Sequence, residues 1–231
     1  IAESHRMPQV VILAGGLGTR LGDLTKNQPK SLIEVAGKPI LSHILDWVKE
    51  QGCNRVVVLT GHHGEQFDGF LHPGIDLTFV KEQKQLGTGG ALWNARDSLE
   101  DEFILLWGDD YHPIQYAPLV NLHREASSKL TMTVTSEHHD KNLQYANGRM
   151  IHYAKDIVVP KEFNGDEAGT SIVRKTVVET FGKEGKWSWE KTVYPAMSKD
   201  IQVHIDNTKF WDMGTPERLE RLEEFFNESR S

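Results

Sequence analysis

The chain of 231 residues is nearly free of cysteine: Cys53 stands alone, so neither an internal disulfide nor a thiolate zinc cluster can form. That usage fits a reducing compartment. Long apolar runs are missing as well, and none approaches the roughly 18–20 residues that a bilayer span requires. No membrane partner is therefore expected. The opening stretch, IAESHRM, lacks the apolar segment of a signal peptide, which makes the cytoplasm the expected location. Positive charge is in deficit, with 26 Lys and Arg against 33 Asp and Glu and a formal net charge of −7. Duplex binders usually show the reverse, so nucleic acid is not an expected partner, although a small basic pocket can sit within an acidic surface. Internal repeats, low-complexity tracts and a clear linker are also absent.

What remains is an ordinary globular composition, 38% hydrophobic and 26% charged, with length for one α/β domain and a full core. In the first half strand-like runs alternate with helical patterns, which predicts βαβ units and a largely parallel sheet. QVVILA reads as a buried strand. KPILSHILDWVKEQG reads as an amphipathic helix with Ile40, Ile44, Leu45 and Val48 on one face and Gly52 as its C-cap. NRVVVLTG and DLTFVKE follow as strands, GGALWNARDSL as a helix, and EFILLWGDD as a strand ending in two aspartates. After about residue 128 the runs KLTMTVTSEH, GRMIHYAKD and GTSIVRK read as more polar strands. TPERLERLEEFF closes the chain as a helix, with Thr215 as N-cap, Pro216 at its first position, and Leu219, Leu222 and Phe226 inward.

The chemistry starts where the first strand runs into Gly15-Gly16-Leu17-Gly18-Thr19-Arg20. Glycines after a buried strand let backbone N–H groups approach a phosphate with no Cβ in the way. The dinucleotide fingerprint would need glycine where Leu21 stands, and the P-loop would need Lys-Ser/Thr where Thr19-Arg20 stand. Both patterns fail. A plain strand-to-helix turn remains one reading. The other is a phosphate loop of a different kind, with Arg20 able to grip phosphate oxygens bidentately and Lys30 adding a compact charge. That suits a flexible triphosphate better than a dinucleotide.

Together LAGGLGTRL, QPKSLIEVAGKPIL, LGTGGAL and WGDD resemble the sugar-1-phosphate nucleotidyltransferase family, strongly to Asp109 and more loosely to about Glu217. The resemblance implies a Rossmann-like, mostly parallel mixed sheet flanked by helices, of the GT-A-like kind. It further implies a single domain over residues 8–228, with 8–128 taking the nucleotide and 129–228 the sugar phosphate. The implied reaction joins a nucleoside triphosphate to a sugar 1-phosphate with Mg²⁺ as cofactor, and a homo-oligomer is compatible with it. Leu13, Ala14, Gly15, Gly16, Gly18 and Thr19 would surround the nucleotide, and Arg20 and Lys30 would neutralise its phosphates. Gly87 and Thr88 would approach its base or ribose. Glu82 would meet the base edge; a solvated charge at a strand end is its plain alternative. Asp109 and Asp212 would hold the metal.

On the acceptor side the resemblance points to Lys155 for the sugar phosphate, and to Gly169 and Glu190 for the sugar. Two departures stand out: Asp110, where a small polar residue is usual, and Glu167, where asparagine commonly precedes Ala-Gly. The segment LGTGGAL and the short length resemble the heptose or mannose 1-phosphate guanylyltransferases most, with GTP as the expected donor. Uridylyl- or cytidylyltransferases on another phosphorylated small molecule are the rivals, and a catalytically silent nucleotide-sugar sensor is the rival from another class. The adjacent pairs His62-His63 and His138-His139 are read as loop residues with no metal-ligand face, since neighbours on a strand or helix point apart. The six tryptophans are read as core and cleft walls.

Overall fold

Apolar side chains on alternating sides of consecutive strands set the architecture. In β1 (Gln9–Ala14), Val11 and Leu13 enter one core cluster while Val10 and Ile12 enter another, so both faces of the strand are covered. The same alternation runs through β4 (Arg55–Thr60) and β6 (Glu102–Trp107). The structure is a computed structural model, and it describes residues 6–16, 18–154 and 162–230.

A nine-stranded sheet forms the middle layer, in the order β5-β4-β1-β6-β11-β8-β12-β10-β9. The strands not yet given are β5 (Asp76–Lys81), β8 (Leu130–Thr135), β9 (Leu143–Ala146), β10 (Arg149–Tyr153), β11 (Asp166–Arg174) and β12 (Gln202–Ile205). Four strands of the first half run parallel, β5-β4-β1-β6. From β6 the sheet turns mixed: β11 is antiparallel to both β6 and β8, while β8 and β12 are parallel. Two ribbons complete the chain, β2 (Glu34–Val35) with β3 (Lys38–Pro39), and β7 (Asp110–Tyr111) with β13 (Trp211–Asp212).

After α1 (Asp23–Lys26), the helices divide between the two faces. The cluster around Val11 and Leu13 takes in residues of α3 (Gly87–Asn94), α5 (Lys175–Phe181) and α6 (Trp189–Met197). The opposite cluster takes in α2 (Ile40–Glu50), α4 (Tyr116–Glu125) and α7 (Pro216–Glu228). The end of α2 follows the expected chemistry. Gly52, at φ +86°, donates to Lys49 O and Cys53 to Val48 O, the paired bonds that close a helix through a left-handed glycine. Thr215 caps α7 by accepting from Arg218 N, with Pro216 next. Leu222 is fully buried, and Leu219, Phe225 and Phe226 pack partly buried beside it. Helices α4, α5 and α6 and the short ribbons went unread in the sequence.

Candidate active site

The parallel strands β1 and β6 end side by side, and the chain beyond their carboxyl ends opens into a cavity of about 280 Å³. Gly108 packs into the seam between the two strand ends. Its N–H donates to Leu13 O at 2.7 Å, and a Cβ there would lie 2.9 Å from that oxygen and 2.8 Å from Ser31 Oγ. Ser31 Oγ in turn donates to Gly108 O at 2.8 Å from a buried position. This clamp ties the PKSL segment to the Gly-Asp turn, and it sets Lys30 Nζ 2.8 Å from Asp109 Oδ2 at the cavity wall.

Leu13, Ala14, Gly15, Gly16, Lys30, Glu82, Gly87, Thr88 and Asp109 all line this one cavity. They come from five separate stretches of sequence. Gly16 has open space where a Cβ would sit, whereas Gly15 and Gly61 are crowded by the carboxylate of Glu82, at 3.1 and 2.7 Å. Glu82 is thus folded over two glycines rather than left in solvent, and burial raises its pKa, opposed by a backbone hydrogen bond from Leu86. Gly18, Thr19 and Arg20 stand outside the lining. Gly18 takes φ +62°, its oxygen accepts from Thr25 Oγ1 at 2.8 Å, and a Cβ on it would strike Thr25. Arg20 lies exposed on the short turn Thr19–Leu21, with Nη2 3.5 Å from where Gly214 would carry a Cβ.

Asp212 reaches the site through the second ribbon, where it pairs in register with Asp110. Its Oδ1 accepts from Gly214 N at 2.8 Å and from Arg218 Nη1 at 3.1 Å. Burial holds Asp110 well above the usual carboxylate range, with Asp109 and Asp212 adding to the effect and Lys30 opposing it. Asp109 and Asp110 serve different hollows: Asp109 lines the main cavity, and Asp110 lines a smaller one with Trp107, Ala168 and Gly169. A bulge in β11 between Glu167 and Ser171 creates that second hollow. Within it Gly169 takes φ +93°, its N–H donates to Glu167 Oε1 at 3.1 Å, and a Cβ would meet Trp107 at 2.8 Å. Glu190 is buried in the first turn of α6, accepting from Ser188 Oγ at 3.2 Å. Lys155 lies outside the described residues.

The glycines of LGTGGAL have a reason beyond phosphate approach. The segment before α6 lies across α3, and a Cβ on Gly87 would be 2.5 Å from Trp187 O. One on Gly89 would be 2.1 Å from the Trp187 ring, and one on Gly90 would be 2.5 Å from Gly185 O. Gly89 N donates to Trp187 O and Trp187 N to Leu86 O, each at 3.0 Å, while Trp189 N donates to Thr88 Oγ1 at 2.9 Å. This segment brings Lys186 to the main cavity.

Sequence reasoning missed Lys186, Ser31 and Arg218. Ser31 was visible inside QPKSL. Arg218 had a fainter signal, since a cation in a helix's first turn opposes the helix dipole and asks for a local anion. The histidine reading stands for the loop placement of His138 and His139 and needs correction only on their geometry. His138 and His139 lie in a bend, not on a strand or helix, and their rings approach to 5.0 Å. Their ligand atoms and that of Asp140 fall within 4.8 Å of one another, so adjacent residues can converge where the backbone is irregular. The tryptophan reading stands, with Trp187 and Trp189 buried and Trp107 lining both hollows.

With this geometry in view, the sequence profile of nucleotidyl transferases matches residues 9–227. The chain belongs to the nucleotidyl transferase family. Among its relatives is a mannose-1-phosphate guanylyltransferase catalytic subunit beta of Drosophila pseudoobscura pseudoobscura, 33% identical over 90% of this chain and 59% of that protein. A UTP–glucose-1-phosphate uridylyltransferase, AglF of Haloferax volcanii, is 32% identical over 59% of this chain and 58% of that one. The chain therefore spans about three fifths of the length of these curated relatives. The nucleotidyl transferase fold is shared with the crystal structure of HddC from Yersinia pseudotuberculosis complexed with GMP-PN. The match has TM-score 0.80 and 25% identity, and covers 95% of this chain and 100% of that one.

Proposed function

We propose that this chain transfers a nucleoside monophosphate, from GTP by preference, to a sugar 1-phosphate of heptose or hexose type, releasing pyrophosphate. The observation that carries the reading is the convergence of the glycine loop, the Lys30–Asp109 pair and Glu82 on one cavity. An acceptor phosphate oxygen attacks the α-phosphorus, and the bond from that phosphorus to the bridging oxygen of the leaving pyrophosphate breaks. Both partners are anions, so alignment and charge neutralisation supply most of the acceleration. Lys30 and Arg20 balance the triphosphate and the leaving pyrophosphate, and the open side of Gly16 admits the phosphates closely. The attacking oxygen is already ionised near neutral pH, so no general base is needed.

A divalent cation suits the donor set. Asp109 and Asp212 are hard oxygen donors on adjoining turns, joined by the bond from Met213 N to Asp109 O at 3.2 Å, and both raise the pKa of the buried Asp110, whose first cause is burial. Asp109 and Asp212 would hold Mg²⁺, which when bound supplies Lewis-acid stabilisation of phosphate charge. Gly169 and Glu190 belong to the acceptor, and Lys155 is assigned to the acceptor's phosphate.

Guanine is favoured by Glu82. Its carboxylate can accept from N1–H and the 2-amino group together, whereas uracil offers one such donor. The guanylyltransferase relative and the GMP-PN complex support the same base. The test is a grid of nucleoside triphosphates against sugar 1-phosphates, read by pyrophosphate release. GTP should give the highest kcat/KM. A higher value for UTP or CTP would overturn the base assignment and keep the reaction. Nucleotide binding without pyrophosphate release from any pair would favour a sensing subunit instead.

A further inference from the structure

The segment across α3 leaves one group without a structural task. Lys186 sits between Gly185 and Trp187, both pressed against α3 by the contacts above. A further bond, Trp187 Nε1 to Lys183 O at 2.9 Å, stiffens the turn before it. The backbone of Lys186 is therefore fixed. Its side chain is exposed, makes no hydrogen bond or ion pair among the described residues, and lines the same cavity as Glu82, Gln85, Gly87 and Thr88. Lys30 and Asp109 already occupy the part of the cavity by the glycine loop. Lys186 instead belongs with the first residues of α3, a few positions after Glu82.

We infer that Lys186 is a specificity-determining residue, whose ammonium donates to the keto oxygen of the base while Glu82 accepts from the neighbouring ring N–H. This rests on the nucleotidyl-transfer reading and sharpens it. Guanine, uracil and thymine carry a keto oxygen beside that ring N–H. Adenine and cytosine carry an amine there, whose N–H groups would face an ammonium that cannot accept. An unsatisfied donor pair is a strong basis for rejection, stronger than a misfit in apolar volume. Lys186 thus separates keto from amino bases, and Glu82 separates guanine from uracil through the extra 2-amino donor.

The test compares nucleotide affinity by calorimetry in the whole chain and its Lys186→Ala and Lys186→Arg variants. GTP is set against 6-thio-GTP, which keeps N1–H and the 2-amino group for Glu82 and replaces O6 by sulfur, a weak acceptor. Lys186→Ala should weaken GTP by about ten- to hundredfold, the usual range for a lost charged hydrogen bond. The analogue, already weak, should change less than about twofold on the same substitution. Lys186→Arg should recover most of the GTP affinity. Equal losses for both nucleotides would move Lys186 to the phosphates and overturn the inference, and so would no loss for GTP. If UTP proves the better donor, the guanylyl assignment fails separately. The same variants are then compared on UTP and on 4-thio-UTP, which keeps N3–H and replaces O4 by sulfur, where the loss should again be confined to the keto nucleotide.

Discussion

The two halves of the sheet do different work with different grammar. In the parallel half, β5-β4-β1-β6, most cavity-lining residues follow the carboxyl ends of the strands, Gly15 and Gly16 after β1, Glu82 after β5 and Asp109 after β6, while Lys30 is carried in on the longer segment between β1 and α2. In the mixed half, β11-β8-β12-β10-β9, the residues proposed for the acceptor sit at an irregularity, the β11 bulge at Gly169, and in a helix turn that buries Glu190. The first half is a loop platform that any strand-ending motif reveals. The second is a wall whose shape comes from pairings far apart in sequence. On the proposed reading, the nucleotide side is built by local rules and the acceptor side by tertiary ones.

The sharpest way to break this contrast is at the seam. Gly89→Ala puts a Cβ into the Trp187 ring, so it should cost about 3 kcal/mol or more in denaturant unfolding. Gly16→Ala meets nothing and should leave stability unchanged while weakening nucleotide binding. If Gly89→Ala were as stable as wild type, the two halves would be packed more loosely than the geometry says.

Next come the carboxylates. Asp109→Asn and Asp212→Asn should each lower kcat by at least about a hundredfold, about 2.7 kcal/mol of transition-state stabilisation, with the fold intact. Asp110→Asn should cost far less in kcat, because Asp110 stands outside the main cavity that Asp109 lines. Equal losses at Asp109 and Asp110 in steady-state kinetics would erase the division between the two hollows.

Acid should loosen the mixed half first. Burial lowers His112 and His123 to about 4, and their Nδ1 atoms lie 2.7 Å from Thr170 of β11 and Thr131 of β8. The unfolded chain takes up those protons near pH 6.5 and the folded chain only near pH 4. Stability is thus full above about pH 6.5 and falls as the pH drops toward 4, by on the order of 3 kcal/mol per histidine. Hydrogen exchange at pH 5 should show β8 and β11 losing protection before β4. The smallest effect separates two lysines: Lys30→Ala should raise the nucleotide Kd about tenfold, or 1.4 kcal/mol. Lys155→Ala should leave that Kd alone and raise KM for the sugar 1-phosphate. A Lys155 variant that weakened nucleotide binding alone would put the two substrates in one region.

The legible part of the molecule follows the same divide. The buried strands of the parallel half announce themselves as apolar runs, and α2 and α7 carry caps and stripes in plain view. Leu13, Ala14, Gly15, Gly16, Lys30, Glu82, Gly87, Thr88 and Asp109, which line the cavity, were readable because their motifs are contiguous, whereas Ser31 was passed over inside one of those motifs. Helix α6 escaped because Pro195 stands inside it and its first turn reads as a polar segment. The reason for Gly89 was hidden for another cause: its neighbour Trp187 comes from the far end of the chain, and no periodicity links the two. The same distance hid Lys186. Asp212 could be placed only through family likeness, since a carboxylate before a helix is ordinarily a turn residue.

The cover that Trp187 lays over α3 also orders events during synthesis. A helix opening on Gly-Thr-Gly-Gly has poor intrinsic stability, and its seat does not exist until the strands and turns of the mixed half have been made. On the ribosome, the glycine loop, Lys30 and Asp109 emerge early, yet the helix that closes their cavity must wait for nearly the whole polypeptide. A half-made chain therefore has no finished pocket in which to capture nucleotide, and binding can assist folding only at its last stage.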